Sequence, residues 1–221
     1  MKIGYFSESP ADQAALAVIT EGILGQPPEP INMDLQAHGV TCVFNALDGV
    51  IRGVHYNSDA DALIVVVDCD DTELHSPAHD SPATNNERCR YCQIRKIVTQ
   101  ARSQLKPVAG KSILKIAIGL TVPAIEAWYL VGKNHEVGEA AWLVGCASNK
   151  RPFTRQQLKQ EVYGTERPSL ELETESAVRE ASRLIGNIAA IETAFPVGFG
   201  LMAQETRSWI AQAVASSSAG S

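Results

Sequence analysis

The chain has 221 residues, 45% hydrophobic and 20% charged, with a formal net charge of −6. That is enough apolar material for one substantial core, and no apolar run approaches the roughly 20 residues of a membrane-spanning helix, so no membrane partner is expected. "MKIGYFSESP" lacks the long apolar centre of a secretory leader, and the five cysteines are odd in number, so the expectation is a cytoplasmic chain with reduced thiols rather than a disulfide scaffold.

"KIGYF" (2–6) reads as a first strand, followed by a helix over "SPADQAALAVITEGILG" with Ser7 or Ser9 as N-cap and Pro10 near its first position. "GVTCVFNA" (39–46) reads as a second strand and "LDGVIRGVHYNSD" as a short helix or loop. "ALIVVV" (62–67) is apolar at every position, which suits a parallel strand covered on both faces. A helix from about 85 to 105 follows, and "SILKIAIGLTV" (112–122) supplies a fourth strand. Beyond it "PAIEAWYLVG", "GEAAWLV", "TRQQLKQEVYG", "ETESAVREASRLIGNIAAIETAF" and "MAQETRSWIAQAV" all read as helices, punctuated by Pro152, Pro168 and Pro196. Strands alternating with helices predict an α/β fold with a mostly parallel central sheet flanked by helices over 1–131. An α-helical C-terminal extension over 132–214 should pack on it, and "ASSSAGS" (215–221) should be a frayed tail.

Charge is divided sharply along the chain. Residues 1–86 carry Lys2 and Arg52 against thirteen acidic side chains, whereas "ERCRYCQIRKIVTQARSQLKPVAGKSILK" (87–115) holds eight basic ones against Glu87 alone. A stripe including Arg88, Arg90, Arg95 and Lys96 is the footprint expected of a phosphate-rich partner such as DNA or RNA. A solvated helix face that balances the acidic half fits the same residues equally well.

In open parallel sheets, ligands collect outside the carboxyl ends of the strands. Glu8 lies just past the first strand, Asp68, Asp70 and Asp71 end the third, and Glu126 follows the fourth through "GLTVPAIEAW". Asp68 and Asp70 should point to one side with Cys69 turned away, and crowded anions there need compensation. A divalent cation, Mg²⁺ or Mn²⁺, supplies it through oxygen ligands and leaves positions open for a phosphate. An Asp pair after a strand is commonly a solvated loop; the addition of Glu8 and Glu126 favours a metal, with Glu8, Asp68, Asp70 and Asp71 as ligands.

Glu8 after a strand, "VVVDCD" at Asp68 and Asp70, and "AIEAWYL" at Glu126 together resemble the TOPRIM domain, in particular the small DUF4276-type proteins related to OLD-family nucleases. The motifs span roughly residues 1–131, with fainter likeness in "ASNKRPFTRQQLKQEVYG" and "FPVGFGLMAQETRSWI". The resemblance implies Mg²⁺-dependent breaking or joining of nucleic-acid phosphodiesters in bacterial or phage defence modules beside an ATPase partner. It implies Glu8 as acid/base or ligand, Asp68 and Asp70 as ligands, and Glu126 as a further ligand or positioning carboxylate. Ser9 stands where that family usually has Gly after the first-strand Glu. The alternative is a non-catalytic TOPRIM-like binding protein or regulatory subunit of an ATPase; no Walker-type Gly-Lys loop is present in the chain itself.

Cys89 and Cys92 form a Cys-x-x-Cys, with His75, His79 and Cys69 upstream, so a Zn²⁺ site of mixed Cys and His ligands can be drawn. The preferred reading is that both cysteines share one helix face and pack as small apolar groups. Trp128, Tyr129 and Trp142 are expected to pack the helical part against the sheet rather than to stack on bases.

Overall fold

The computed structural model describes residues 1–31, 39–81, 86–134 and 136–218. Four parallel strands form one sheet in the order β2-β1-β3-β4: β1 Lys2–Phe6, β2 Glu29–Pro30, β3 Ala62–Asp68 and β4 Lys115–Thr121. β3 is central, buried along its whole length, and pairs Ala62 to Asp68 in step with Lys115 to Thr121 of β4. That continuous burial is why "ALIVVV" shows no polar alternation. The β-branched side chains of Ile64 to Val67 fill both faces of the pleat.

Helices cover the two faces. α1 (Pro10–Leu24) starts where Ser9 Oγ accepts from the Asp12 amide at 3.2 Å, with Pro10 at its first position, and stops at left-handed Gly25. α2 (Val40–Asn57) and α3 (Arg90–Ser103) pack together. α1 packs with α7 (Leu170–Leu184) and α9 (Gly200–Ser218), and α9 lies against β4. Between these come the shorter helices α4 (Glu126–Tyr129), α5 (Glu139–Ala147), α6 (Arg155–Tyr163) and α8 (Ile188–Ala194). Among the described residues, no helix is long and apolar enough to cross a membrane.

The strand expected over 39–46 is instead the first half of α2. Val43, Leu47, Val50, Ile51 and Val54 are buried while Thr41, Cys42, Asn45, Asp48 and Gly49 are exposed, which is the helical period carried through the whole segment. Eight residues rich in Val, Thr, Cys and Phe imitate a strand; burial of a five-residue stripe, roughly 1.5–3 kcal/mol per side chain, outweighs their local preference. The helix expected from about 85 begins at Arg90, and residue 85 lies outside the described residues. Of the tail expected over 215–221, residues up to Ser218 belong to α9, and 219–221 lie outside the described residues.

Residues on both sides of position 131 share one hydrophobic cluster. Trp128, fully buried, meets Phe199 edge-to-face at 5.0 Å, and Trp142 stacks on Phe153 at 5.6 Å. The segment before α9 also joins the sheet: the Leu120 amide donates to Gly198 O at 2.9 Å, and the Gly198 amide donates to buried Glu139 at 2.5 Å. A Cβ on Gly198 would stand 1.9 Å from the Leu120 carbonyl oxygen, so only glycine lets the backbone come this close. Gly198→Ala is expected to destabilise the chain by roughly 2–3 kcal/mol, measured as a lowered midpoint in urea unfolding at unchanged slope.

Candidate functional site

The carboxyl ends of β1, β3 and β4 open into a pocket of about 300 Å³ lined by Glu8, Asp12, Asp68 and Glu126, and by Arg155, Lys159, Tyr163 and Glu173 from α6 and α7. β1 and β3 run side by side, so Glu8 reaches across to accept the Asp68 amide hydrogen at Oε1, 2.9 Å away. Asp68 ends β3; Thr121 at the end of β4 donates to its Oδ1 at 2.5 Å. Glu126 opens α4 beyond Pro123 and is buried, with Oε2 lacking any hydrogen-bond partner. Asp12, in the first turn of α1, and Glu173 of α7 are the carboxylates that strand-end reasoning missed; for Asp12, its place three residues after the Ser9 cap was the available signal.

Asp68 and Asp70 face the same side, with Cys69 buried and turned away. Asp70 achieves this with φ +46°, left-handed backbone uncommon for a non-glycine residue, held by its amide donating to Pro123 O at 3.0 Å. Arg155 grips both carboxylates: one guanidinium nitrogen donates to Asp68 Oδ2 at 2.5 Å and the other to Asp70 Oδ1. Arg90 donates to Asp68 O and, at 2.7 Å, to Asp70 Oδ2. Lys159, one turn after Arg155 on the same face of α6, lies 3.9 Å from Glu126 Oε1 and 2.7 Å from Glu173. Asp71 is exposed and pairs with Arg151 at 2.5 Å; it and Asp70 line a separate cleft with Trp142 and Phe153, so Asp70 meets the strand-end pocket only through Arg155, which lines both.

Burial raises the carboxyls of Glu8 and Glu126 to about 7, with the Asp68 charge as the next cause in each case. Asp12 is pushed well above the usual range by burial and then by Asp68 and Glu126. Burial raises Asp68 too, against the opposing pull of Arg155 and Thr121. For Arg155, burial disfavours the charge, but Asp68 and Asp70 more than restore it.

This donor set is all oxygen, and Glu126 Oε2 is a buried oxygen without a hydrogen-bond partner, which suits a hard dication that displaces the retained protons. In the present arrangement Arg155 stands between Asp68 and Asp70, and among the described residues these carboxylates do not form a group gathered to hold a metal ion. Loading the site therefore requires exchange of the Arg155 contacts.

The expected basic stripe is dispersed. Arg90 is engaged with Asp70, Arg95 with Asp80, and Lys111 donates to the carbonyls of Val54, His55 and Ser58, closing the end of α2. Arg88 and Lys96 are exposed and line two surface clefts of about 750 and 780 Å³ on either side of α3's first turns.

A second group of ligand-type side chains lies beyond the β3 end. His75, His79, Cys89 and Cys92 bring one donor atom each within 4.8 Å of one another and can hold a metal ion. Among the described residues, no other group of three or more His, Cys, Asp or Glu gathers so closely. The expected packing of Cys89 and Cys92 as mere apolar groups fits Cys89, which is fully buried, but not Cys92, whose sulfur faces two imidazoles. Cys69 lies apart, with its sulfur near Asp70 O.

Fold and site together define a parallel α/β protein with a carboxylate pocket at its strand ends and a His/Cys cluster beside it. No protein-family model, curated protein or solved structure matches the chain.

Glu126 gives the pocket a measurable pH signature. Folded, its carboxyl keeps a proton to about 7; its ordinary value is 4.5, so between these the folded state binds more protons. Stability from this group is fully present below 4.5 and is lost as pH rises through 7. In chelator, Glu126→Gln is expected to gain on the wild type across that window, by roughly 3 kcal/mol at its upper end, in calorimetric unfolding at several pH values.

Proposed function

We propose that the strand-end pocket is the active site of a Mg²⁺- or Mn²⁺-dependent phosphodiester hydrolase acting on nucleic acid, of the TOPRIM kind that the Glu8, Asp68-x-Asp70 and Glu126 motifs resemble. The single observation that carries the reading is the convergence of Glu8, Asp68 and Glu126, from three strand ends, on one pocket with a buried unpartnered oxygen at Glu126. Asp68 and Asp70 would hold the ion, with Glu126 alongside and Glu8 as the acid/base. When bound, such an ion supplies Lewis acidity toward a phosphoryl oxygen and an activated water.

The chain's own groups supply the rest. Glu8, raised to about 7 by burial and by Asp68, is poised to take or give a proton near neutral pH. Arg155 presents a planar fork that matches two phosphate oxygens as well as it matches Asp68 and Asp70, so a phosphodiester and a dication can exchange for the present carboxylate contacts together. Lys159 places a second positive charge one turn further into the pocket. The clefts carrying Arg88 and Lys96 would track the flanking backbone through contacts that weaken with salt.

The Arg155 bridge also favours a second reading, in which a guanidinium replaces the metal for good and the chain is a non-catalytic nucleic-acid-binding or regulatory subunit beside an ATPase. Metal chemistry for the His/Cys cluster follows donor type: sulfur and imidazole select Zn²⁺, not the hard ion assigned to the carboxylates.

The test is cleavage of single- and double-stranded DNA and RNA with Mg²⁺ or Mn²⁺. Hydrolysis should require the ion, vanish in Asp68→Ala and Asp70→Ala, and fall roughly 10²- to 10⁴-fold in Glu8→Gln. Binding without cleavage of any substrate establishes the second reading, and cleavage surviving both aspartate variants overturns the first.

A further inference from the structure

His75 and His79 lie in the segment after β3, His79 within the short 3₁₀ turn Pro77–Asp80; Cys89 is the N-cap of α3 and Cys92 lies in its first turn. The within-pair spacings, His-x₃-His and Cys-x₂-Cys, are those of Cys₂His₂ zinc sites, with the pairs in reverse order.

Geometry goes further than spacing. Cys92 Sγ lies 3.3 Å from His75 Nδ1 and 3.8 Å from His79 Nδ1. Sulfur and nitrogen on one tetrahedral Zn²⁺, at bond lengths of about 2.3 and 2.0–2.1 Å, stand about 3.6 Å apart, so the two observed separations bracket the metal-bound value. Both imidazoles turn the same nitrogen inward. Their outer nitrogens face carboxylates without hydrogen-bonding them: His75 Nε2 lies 3.7 Å from Asp80, and His79 Nε2 lies 3.4 Å from Glu73. Carboxylates so placed favour a proton on the outer nitrogen, which leaves the inner one free to coordinate. Asp80 is itself held by Arg95, whose guanidinium lies over Tyr91 at 5.8 Å, and the Tyr91 ring packs at 4.6 Å on His75. His75, His79 and Cys89 are buried. Two fully buried or partly covered thiols beside two imidazoles, each with an outer-shell carboxylate, are more than a helix needs for packing.

We infer that His75, His79, Cys89 and Cys92 form a closed, four-ligand structural zinc site that clasps the β3–α3 connection and thereby seats Arg90 against Asp68 and Asp70. With all four positions filled by protein, the ion has no open coordination site and no part in hydrolysis. Arg90 sits between the two cysteines, in the turn that the ion would fix, and its guanidinium is the link from that turn to the end of β3. The zinc assignment stands apart from the phosphodiesterase reading; only the value of Arg90 to a substrate rests on that reading.

The purified 221-residue chain, dialysed without chelator, is expected to carry about one zinc per chain by elemental analysis. Exchange into Co²⁺ should give the visible ligand-field bands of a tetrahedral site and a thiolate-to-cobalt charge-transfer band. Asp68→Asn should keep its zinc whether or not any nuclease activity exists. Glu73→Gln and Asp80→Asn should each bind zinc 10- to 100-fold more weakly in competition with a chromophoric chelator. Zinc removal should raise amide exchange over residues 86–96. Substoichiometric zinc together with a Co²⁺ spectrum lacking thiolate charge transfer overturns the site, a readout on wild-type protein that does not depend on a ligand variant folding. Unchanged exchange over 86–96 in zinc-free protein overturns the coupling to Arg90.

Discussion

Mutual repulsion among carboxylates brought out of water is the constraint around which this structure is arranged. Two like charges 4 Å apart repel by about 4 kcal/mol at an effective dielectric near 20, and the pocket holds Glu8, Asp12, Asp68 and Glu126 together. Two responses are visible. Protons are retained, as the raised values of Glu8, Asp12 and Glu126 state, and cations are brought in on α6. Arg155 and Lys159 are i and i+4, so one helix face delivers both, and the capping box of Thr154 with Gln157 fixes where that helix begins, one residue before Arg155. The helical C-terminal part is therefore a component of the site and not an appendage to it.

Much of the frame was legible in the sequence because the relevant signals are local. Ser9, Pro10 and Gly25 bracket α1 as caps, and β3 announced itself as an unbroken apolar run. Glu8, Asp68, Asp70 and Glu126 were found because strand ends are where an open parallel sheet gathers function. Asp71 was grouped with its neighbours by adjacency, yet the left-handed turn at Asp70 sends the next side chain out to Arg151. Arg155, Lys159 and Tyr163 could not be read this way: they sit some ninety residues beyond β3, and no local pattern distinguishes a cation aimed at a distant carboxylate from one facing water. α2 was misread because a window of eight residues is too short to separate a buried helix stripe from a strand.

The division of charge along the chain has a different meaning once folded. The acidic first part and the basic stretch after it do not form two opposed surfaces; Arg90 and Arg95 of the basic stretch turn back onto Asp70 and Asp80 of the acidic one. Two of the eight basic side chains are thus neutralised against the β3–α3 connection, where the His/Cys cluster also lies. Outside those pairs, Arg88, Lys96, Arg102 and Lys106 are exposed on α3 and the segments at its two ends, and Arg155 and Lys159 line the pocket. Surface cations of the first kind attract any phosphate chain and lose their effect in salt. A half-exposed guanidinium already paired to two carboxylates behaves otherwise, since releasing them leaves Arg155 without an anion and Asp68 and Asp70 without a cation. Under the phosphodiesterase proposed above, a phosphodiester accompanied by a dication would meet both needs at once, and neither half would do so alone.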